Sequence, residues 1–282
     1  GTWPRVGTAR ARDAHGATGS ATGIGDVDLS ASLDLGETFT NAPGGAANWT
    51  FTGGTNYNDQ SGSVDIVITK PDAVCTISGY SGTYDPAAHG ASGSCAGITS
   101  DPTASGSSLD FGDSFTNAPG GTANWLFTGG ANYNDQSGSV AITISKADAA
   151  CTINGYTGAY DGIAHGASGS CSGIDSGSAA GSNLDLGDTF TNVPGGTAHW
   201  SFEGGLNYND QSGTAAITIS KANAVCAING YTGTYDGTAH GASGSCTGVD
   251  AGAAAGSTLG LGASFTNVPG GTASWAVRGG TN

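Results

Sequence analysis

Trp49, Trp125, Trp200 and Trp275 recur after 76, 75 and 75 residues. Lys70, Lys146 and Lys221 close the matching segments VDIVITK, VAITISK and AAITISK at the same spacing. A chain that repeats itself at a fixed period folds as copies of one unit, so this period constrains the fold before any single residue does. A unit of about 75 residues is too long for the short solenoid repeats and long enough for a small domain. The chain therefore divides into 1–70, 71–146, 147–221 and 222–282, read as beads on a string. The first unit is expected to be incomplete at its N-terminal side, where residues 1–12 (GTWPRVGTARAR) stand in place of a cysteine-bearing strand. The last is expected to be incomplete at its C-terminal side, where residues 278–282 (RGGTN) stop short of the NYNDQSG stretch. Such ends fit an excerpt from a longer array, or subunits that complete one another head to tail by strand donation.

Each unit carries strand signals and almost no helix signal. In residues 120–127 (GGTANWLF) a Gly-Gly turn leads into an alternation with Ala123, Trp125 and Phe127 on one face. Val140, Ile142 and Ile144 alternate with Ala141, Thr143 and Ser145, as in a half-buried strand. Pro119 stops the preceding segment and glycines turn it. The class is all-β, and the turn spacing fits tandem small antiparallel β-sandwich (Ig-like) domains. A compact sheet of another topology is the alternative, since strand order is not written in the sequence. Trp49, Trp125, Trp200 and Trp275 share their faces with buried-looking neighbours, so they are expected in the core rather than as sugar platforms. The tyrosines of YDG and NYND fall in turns and are expected to be exposed.

Glycine makes up 52 of 282 residues, well over double the usual share of roughly 7%. Such a unit buries little apolar surface and needs a staple. Cys75 and Cys95, Cys151 and Cys171, and Cys226 and Cys246 each lie twenty positions apart within one unit. In the first unit the position matching Cys95 is Ala21, and its would-be partner falls before residue 1. Where one cysteine is missing so is the other, which is the signature of intra-unit disulfides. A zinc site would want four close ligands, against two Cys and one His per unit. Three disulfides place the protein outside a reducing cytosol.

Net charge at pH 7 is −15, from 7 Lys and Arg against 22 Asp and Glu. Nucleic acid and anionic membranes both need basic patches, so neither is an expected partner. No apolar run approaches the roughly 20 residues that cross a bilayer.

The stretch with most chemical promise is TYDGTAHGASGSC (residues 234–246), which recurs at 159–171 and 83–95 with an acid, a histidine, hydroxyls and a thiol. It is not a nucleophile elbow, because Gly244 follows Ser243 directly. A Cys–His pair would need a thiolate that a disulfide removes. No catalytic residue is expected; the histidine reads as a packed side chain with a fixed hydrogen bond. NYNDQSG (from Asn56, Asn132 and Asn207) holds one carboxylate and no distal closing acid, which is short of an EF-hand. A turn capped by Asn and Asp explains it; weak calcium binding, with help from Asp110 and Asp113 or Asp185 and Asp188, is the alternative. No other cofactor or metal is expected.

YTGTYDGTAHGASG, followed by F-T-N-V-P-G-G-T-A-x-W, N-Y-N and a closing ITISK, resembles the MBG/YDG-type tandem domains of large bacterial cell-surface and secreted proteins. The resemblance covers nearly the whole chain. It implies secreted, β-rich modules of adhesins or extracellular matrix. Tyr84-Asp85-Pro86 departs from the YDG of the other units, and the cysteine pair is not expected of the family generally. The expectation is an extracellular, non-enzymatic structural repeat protein, a stalk or filament that associates with itself. An adhesin binding glycans or mucin-like glycoproteins through exposed turns is the alternative.

Overall fold

The computed structural model describes residues 13–174, 177, 179, 181–249, 252 and 257–282. The expectation for residues 1–12 lies outside them. The chain forms two compact bodies, residues 1–145 and 146–282.

In the first body, residues of the first repeat form a three-stranded antiparallel sheet of β1 (Leu33–Asp34), β2 (Gly44–Phe51) and β3 (Gln60–Val67) in that order. The second repeat supplies β4 (Val74–Ser78), β5 (Tyr80–Thr83), β6 (Ser92–Ala96), β7 (Ser108–Asp110), β8 (Gly120–Thr128) and β9 (Gln136–Ser145). β4 and β6 pair as a two-stranded antiparallel ribbon, and the others form a sheet in the order β5-β9-β8-β7. β5 runs parallel to β9, whereas alternation alone had pointed to antiparallel strands throughout. The reason is local. Gly79 by itself separates β4 from β5, and a Cβ there would lie 2.0 Å from the Ala141 carbonyl oxygen. Only a glycine lets the chain step this closely from ribbon to sheet, and the step delivers β5 beside β9 in the same direction.

In the second body the third repeat repeats the plan with β10 (Ala150–Asn154), β11 (Tyr156–Ala159), β12 (Ser168–Ser172), β13 (Asn183–Asp185), β14 (Gly195–Glu203) and β15 (Gln211–Ser220). β10 pairs β12, and the sheet order is β11-β15-β14-β13 with β11 parallel to β15. The fourth repeat has β16 (Val225–Asn229) paired with β17 (Ser243–Thr247), and β18 (Thr258–Gly260) paired with β19 (Ala276–Arg278). The described residues are thus all-β, apart from one 3-10 turn at Ser30–Ser32.

One face of each four-stranded sheet is buried. Along β8, Ala123 and Phe127 are sealed while Leu126, between them in sequence, is 49% exposed. Phe127 joins Ala73, Ala104 and Tyr133, with the Cys75 and Cys95 side chains packed on them. Ala123 joins Ile142 and Ile144, covered by Tyr80, Tyr84 and Phe115. Burying one such Phe or Ile contributes about 2–3 kcal/mol, and the second repeat has two small clusters rather than one deep core.

The tryptophans are not at the centre of either cluster. Trp49, Trp125 and Trp200 are half-buried. Each indole lies over the glycine opposite it in the ladder, Gly62, Gly138 or Gly213, where a Cβ would come within 2.8 Å of the ring. Trp275, expected in the core, is instead 48% exposed; among the described residues no strand faces it as β9 faces Trp125 and β15 faces Trp200. The reverse correction holds for the NYND tyrosines, for Tyr133 and Tyr208 are buried.

Candidate functional site at the joint between repeats

The N-Y-N motif sends its three side chains to three different places. In the second repeat, Asn132 reaches the first repeat. Its Nδ2 donates to Asn41 Oδ1 at 2.9 Å, and its Oδ1 accepts from the Ala42 N–H at 3.1 Å. Tyr133 turns into its own repeat's core, where its hydroxyl donates to Asp101 and accepts from the Ile98 N–H at 3.3 Å. Asn134 holds the connector between repeats: its Nδ2 donates to Asp72 Oδ1 at 2.8 Å, and its N–H to the Pro71 carbonyl at 3.1 Å. Gln136 Nε2 then donates to the Ala73 carbonyl at 2.8 Å, and Lys70 Nζ to the Gly130 carbonyl at 2.6 Å.

The second body carries the same bonds. Lys146 Nζ donates to the Gly205 carbonyl at 2.6 Å, Asn209 Nδ2 to Asp148 at 2.7 Å, and Gln211 Nε2 to the Ala149 carbonyl at 2.8 Å. Between the third and fourth repeats, Asn282 Nδ2 donates to Asn192 Oδ1 at 2.8 Å and its Oδ1 accepts from the Val193 N–H at 3.1 Å. Lys221 Nζ donates to the Gly280 carbonyl. The connectors are therefore tied into the following repeat.

The receiving loop is T-N-x-P. Its Ala42–Pro43 and Val193–Pro194 bonds are cis. Its Asn carbonyl accepts the N–H of the glycine three residues on, Gly44 or Gly195. That turn presents the Asn side chain and the next N–H together as one acceptor–donor pair, which an Asn amide matches with its own donor and acceptor. Both motifs were visible in the sequence, but their partnership was not; the clue was that they recur in step.

The expected site residues lie elsewhere. Cys75–Cys95, Cys151–Cys171 and Cys226–Cys246 are bonded, each pair directly opposed across a two-stranded ribbon. The histidines sit beside these ribbons. His89 Nε2 contacts Asp85 Oδ1 at 2.8 Å, and its ring stacks on Tyr80 with centroids 3.8 Å apart. His165 on Asp161 and Tyr156, and His240 on Asp236 and Tyr231, repeat the arrangement. These aromatic stacks were missed in the sequence, because nine positions separate the two rings.

The acid of each trio also closes its own turn. The His89 contact and then the Ala87 N–H hold the Asp85 carboxyl below its ordinary range. For Asp161 the Ile163 N–H comes first and His165 second. Asp236 is lowered to about 2 by the Thr238 N–H, His240 and the Thr238 hydroxyl.

Five of the acids considered for calcium are engaged in turns. Asp59, Asp135 and Asp210 accept the N–H of Gly53, Gly129 and Gly204, each at 2.8 Å. Asp110 and Asp185 accept from Gly112 and Gly187 at 2.9 Å. Among the described residues no three His, Cys, Asp or Glu side chains gather as a metal site would require. Among the same residues no helix is long and apolar enough to cross a membrane. No family model matches the chain, and no curated protein matches it.

Proposed function

We propose that the chain is an extracellular structural repeat protein, a stalk or filament of disulfide-stapled β domains in series, with no catalysis of its own. Each complete repeat is then a small Ig-like unit, akin to the MBG/YDG-type domains that its motifs resemble. The observation that carries this reading is the recurring joint, in which Asn132 on Asn41 and Asn282 on Asn192 fasten successive repeats by the same pair of bonds. A protein whose task is to hold a line uses each repeat's chemistry for holding the next. The three disulfides support an oxidising, extracellular setting.

Negative-stain electron microscopy tests it. Beads in single file, with centre-to-centre spacing that repeats along each particle, are expected; compact particles with no line of beads would refute it.

A further inference from the structure

The second repeat departs from the third and fourth at Asp85–Pro86, where the others carry Asp161–Gly162 and Asp236–Gly237. Proline makes the peptide bond after an aspartate easier to break in acid. Its nitrogen is that of a tertiary amide, more basic than an ordinary amide nitrogen and crowded against the residue before it, so it leaves readily once protonated. The local fold gathers what such a cleavage needs. Asp85 Oδ1 accepts the Ala87 N–H at 2.9 Å, and the ring closed by that bond contains the Asp85–Pro86 peptide bond itself. His89 Nε2 lies 2.8 Å from the same oxygen. The other oxygen, Oδ2, is left open, and the side chain is 45% exposed. The titratable groups facing this carboxyl are His89 on its own loop and, behind the His89 ring, Tyr80 of β5. The His89 contact and then the Ala87 N–H keep the carboxyl ionised further into acid than an ordinary aspartate.

We propose that Asp85–Pro86 is a self-cleavage site, opened in acid by attack of the Asp85 carboxylate on its own peptide carbonyl. Oδ2 bonds to the Asp85 carbonyl carbon, the carbon–nitrogen bond to Pro86 breaks, and the proline nitrogen takes a proton from the acidic solvent. Water then opens the cyclic anhydride left on Asp85. The products are one segment ending at Asp85 and one beginning at Pro86. The event happens once per chain and turns over no substrate. The cut falls inside the loop that Cys75 and Cys95 close, so the two segments stay covalently joined. β4 and β6 keep their ladder, while the segment between β5 and β6 is freed at one end. Acid thus nicks the second repeat without parting the chain.

The same chain holds its own controls. Asp161 and Asp236 have the same histidine contact and the same turn bond, but glycine follows them. Asp101–Pro102 has the proline, but Asp101 is 3% exposed and both its oxygens are engaged. Oδ1 accepts the Ser105 hydroxyl at 2.8 Å and Oδ2 the Ser105 N–H at 2.9 Å.

The test holds the whole oxidised chain at the lowest pH, down to about 3 and so near the ordinary carboxylate range, at which the near-ultraviolet signal of its tryptophans stays native. Mass spectrometry then follows samples with and without reduction by a thiol. Without reduction the chain should stay in one piece; with it, fragments 1–85 and 86–282 are expected. The cut at 85–86 should be at least about tenfold faster than at 101–102, since a buried bond must first be exposed by local opening. In denaturant the two rates should converge. Pro86→Gly, which restores the dipeptide of the other repeats, should stay uncut, as should Asp85→Asn, which keeps the turn acceptor without the nucleophile. A reduced chain that stays intact would overturn the proposal. So would a ratio of the two rates that is the same folded and denatured, cleavage of Asp85→Asn at the parent's rate, or equally fast cleavage at Asp161–Gly162.

Discussion

Replacing Cys151 and Cys171 together by alanine should weaken the third repeat and leave the second intact. The bridge closes a separation of twenty residues, and holding that loop closed removes about 3 kcal/mol of chain entropy from the unfolded state. A domain of about 75 residues has roughly 4–11 kcal/mol of total stability, so the loss is a quarter or more of what the repeat has. Little else compensates. The ribbon of β10 and β12 pairs over five positions and joins no other strand. The equivalent cysteines of the second repeat pack on the cluster of Phe127 and Tyr133, and a two-stranded element without its bridge is marginal by itself. Amide exchange followed by segment is the assay, because it separates repeats that a single melting curve would merge. Exchange in β14 and β15 should quicken by about two orders of magnitude, with β8 and β9 unchanged. A double variant within about 0.5 kcal/mol of the parent would show that the ladder alone holds the ribbon. Equal weakening of β8 and β9 would show that the repeats unfold as one.

Three other expectations follow from single contacts. Asn132→Ala removes both bonds to the first repeat, about 1–2 kcal/mol for exposed hydrogen bonds; exchange of the Ala42 amide should rise roughly 5- to 30-fold, and an unchanged rate would mean that the joint is held elsewhere. Ile217→Ala, at a site 1% exposed, should cost about 2–5 kcal/mol, whereas Val67→Ala on a residue 61% exposed should stay within about 0.5 kcal/mol; chemical denaturation compares the two. Asp236 should titrate near pH 2 rather than at its ordinary 3.8. Its folded value is depressed, so its contribution is complete above the unfolded value and fades as pH falls through about 2; a carboxyl carbon titration by NMR with a midpoint near 4 would refute the hydrogen-bond account.

What the sequence disclosed follows from what repetition and alternation encode. Period two marked β8 and β9 because one face of their sheet is buried, and cysteines twenty positions apart in each of three repeats marked the bridges. Partner choice was hidden. Nothing local says that β5 lies parallel to β9, since this depends on the step at Gly79 against Ala141. Tyr133 misled because N-Y-N-D reads as a polar turn; in fact the turn is tight enough to hang both asparagines outward while the ring swings under Asp101. Trp275 misled for the opposite reason. Its neighbours in sequence match those of Trp200, but burial of the indole depends on Gly213 of a different strand.

Charge completes the argument about direction. The chain contains three lysines, Lys70, Lys146 and Lys221, and all three donate to the carbonyl of a Gly-Gly turn in the next repeat. Beyond these lysines, four arginines stand against 22 Asp and Glu, in a chain of net charge −15. Sideways approach of two chains is therefore repulsive, while the joints keep their cations and bond by short-range contacts that salt screens little. Sheet edges, which would otherwise invite lateral pairing, are protected by the same repulsion. Lateral association should then be absent at pH 7 in low salt and should appear near the isoelectric point of about 4.2, where the repulsion vanishes. Static light scattering across pH 7 to 4 measures this. Scattering that stays flat through the isoelectric point would show that the acidic surface is not what keeps the chains apart.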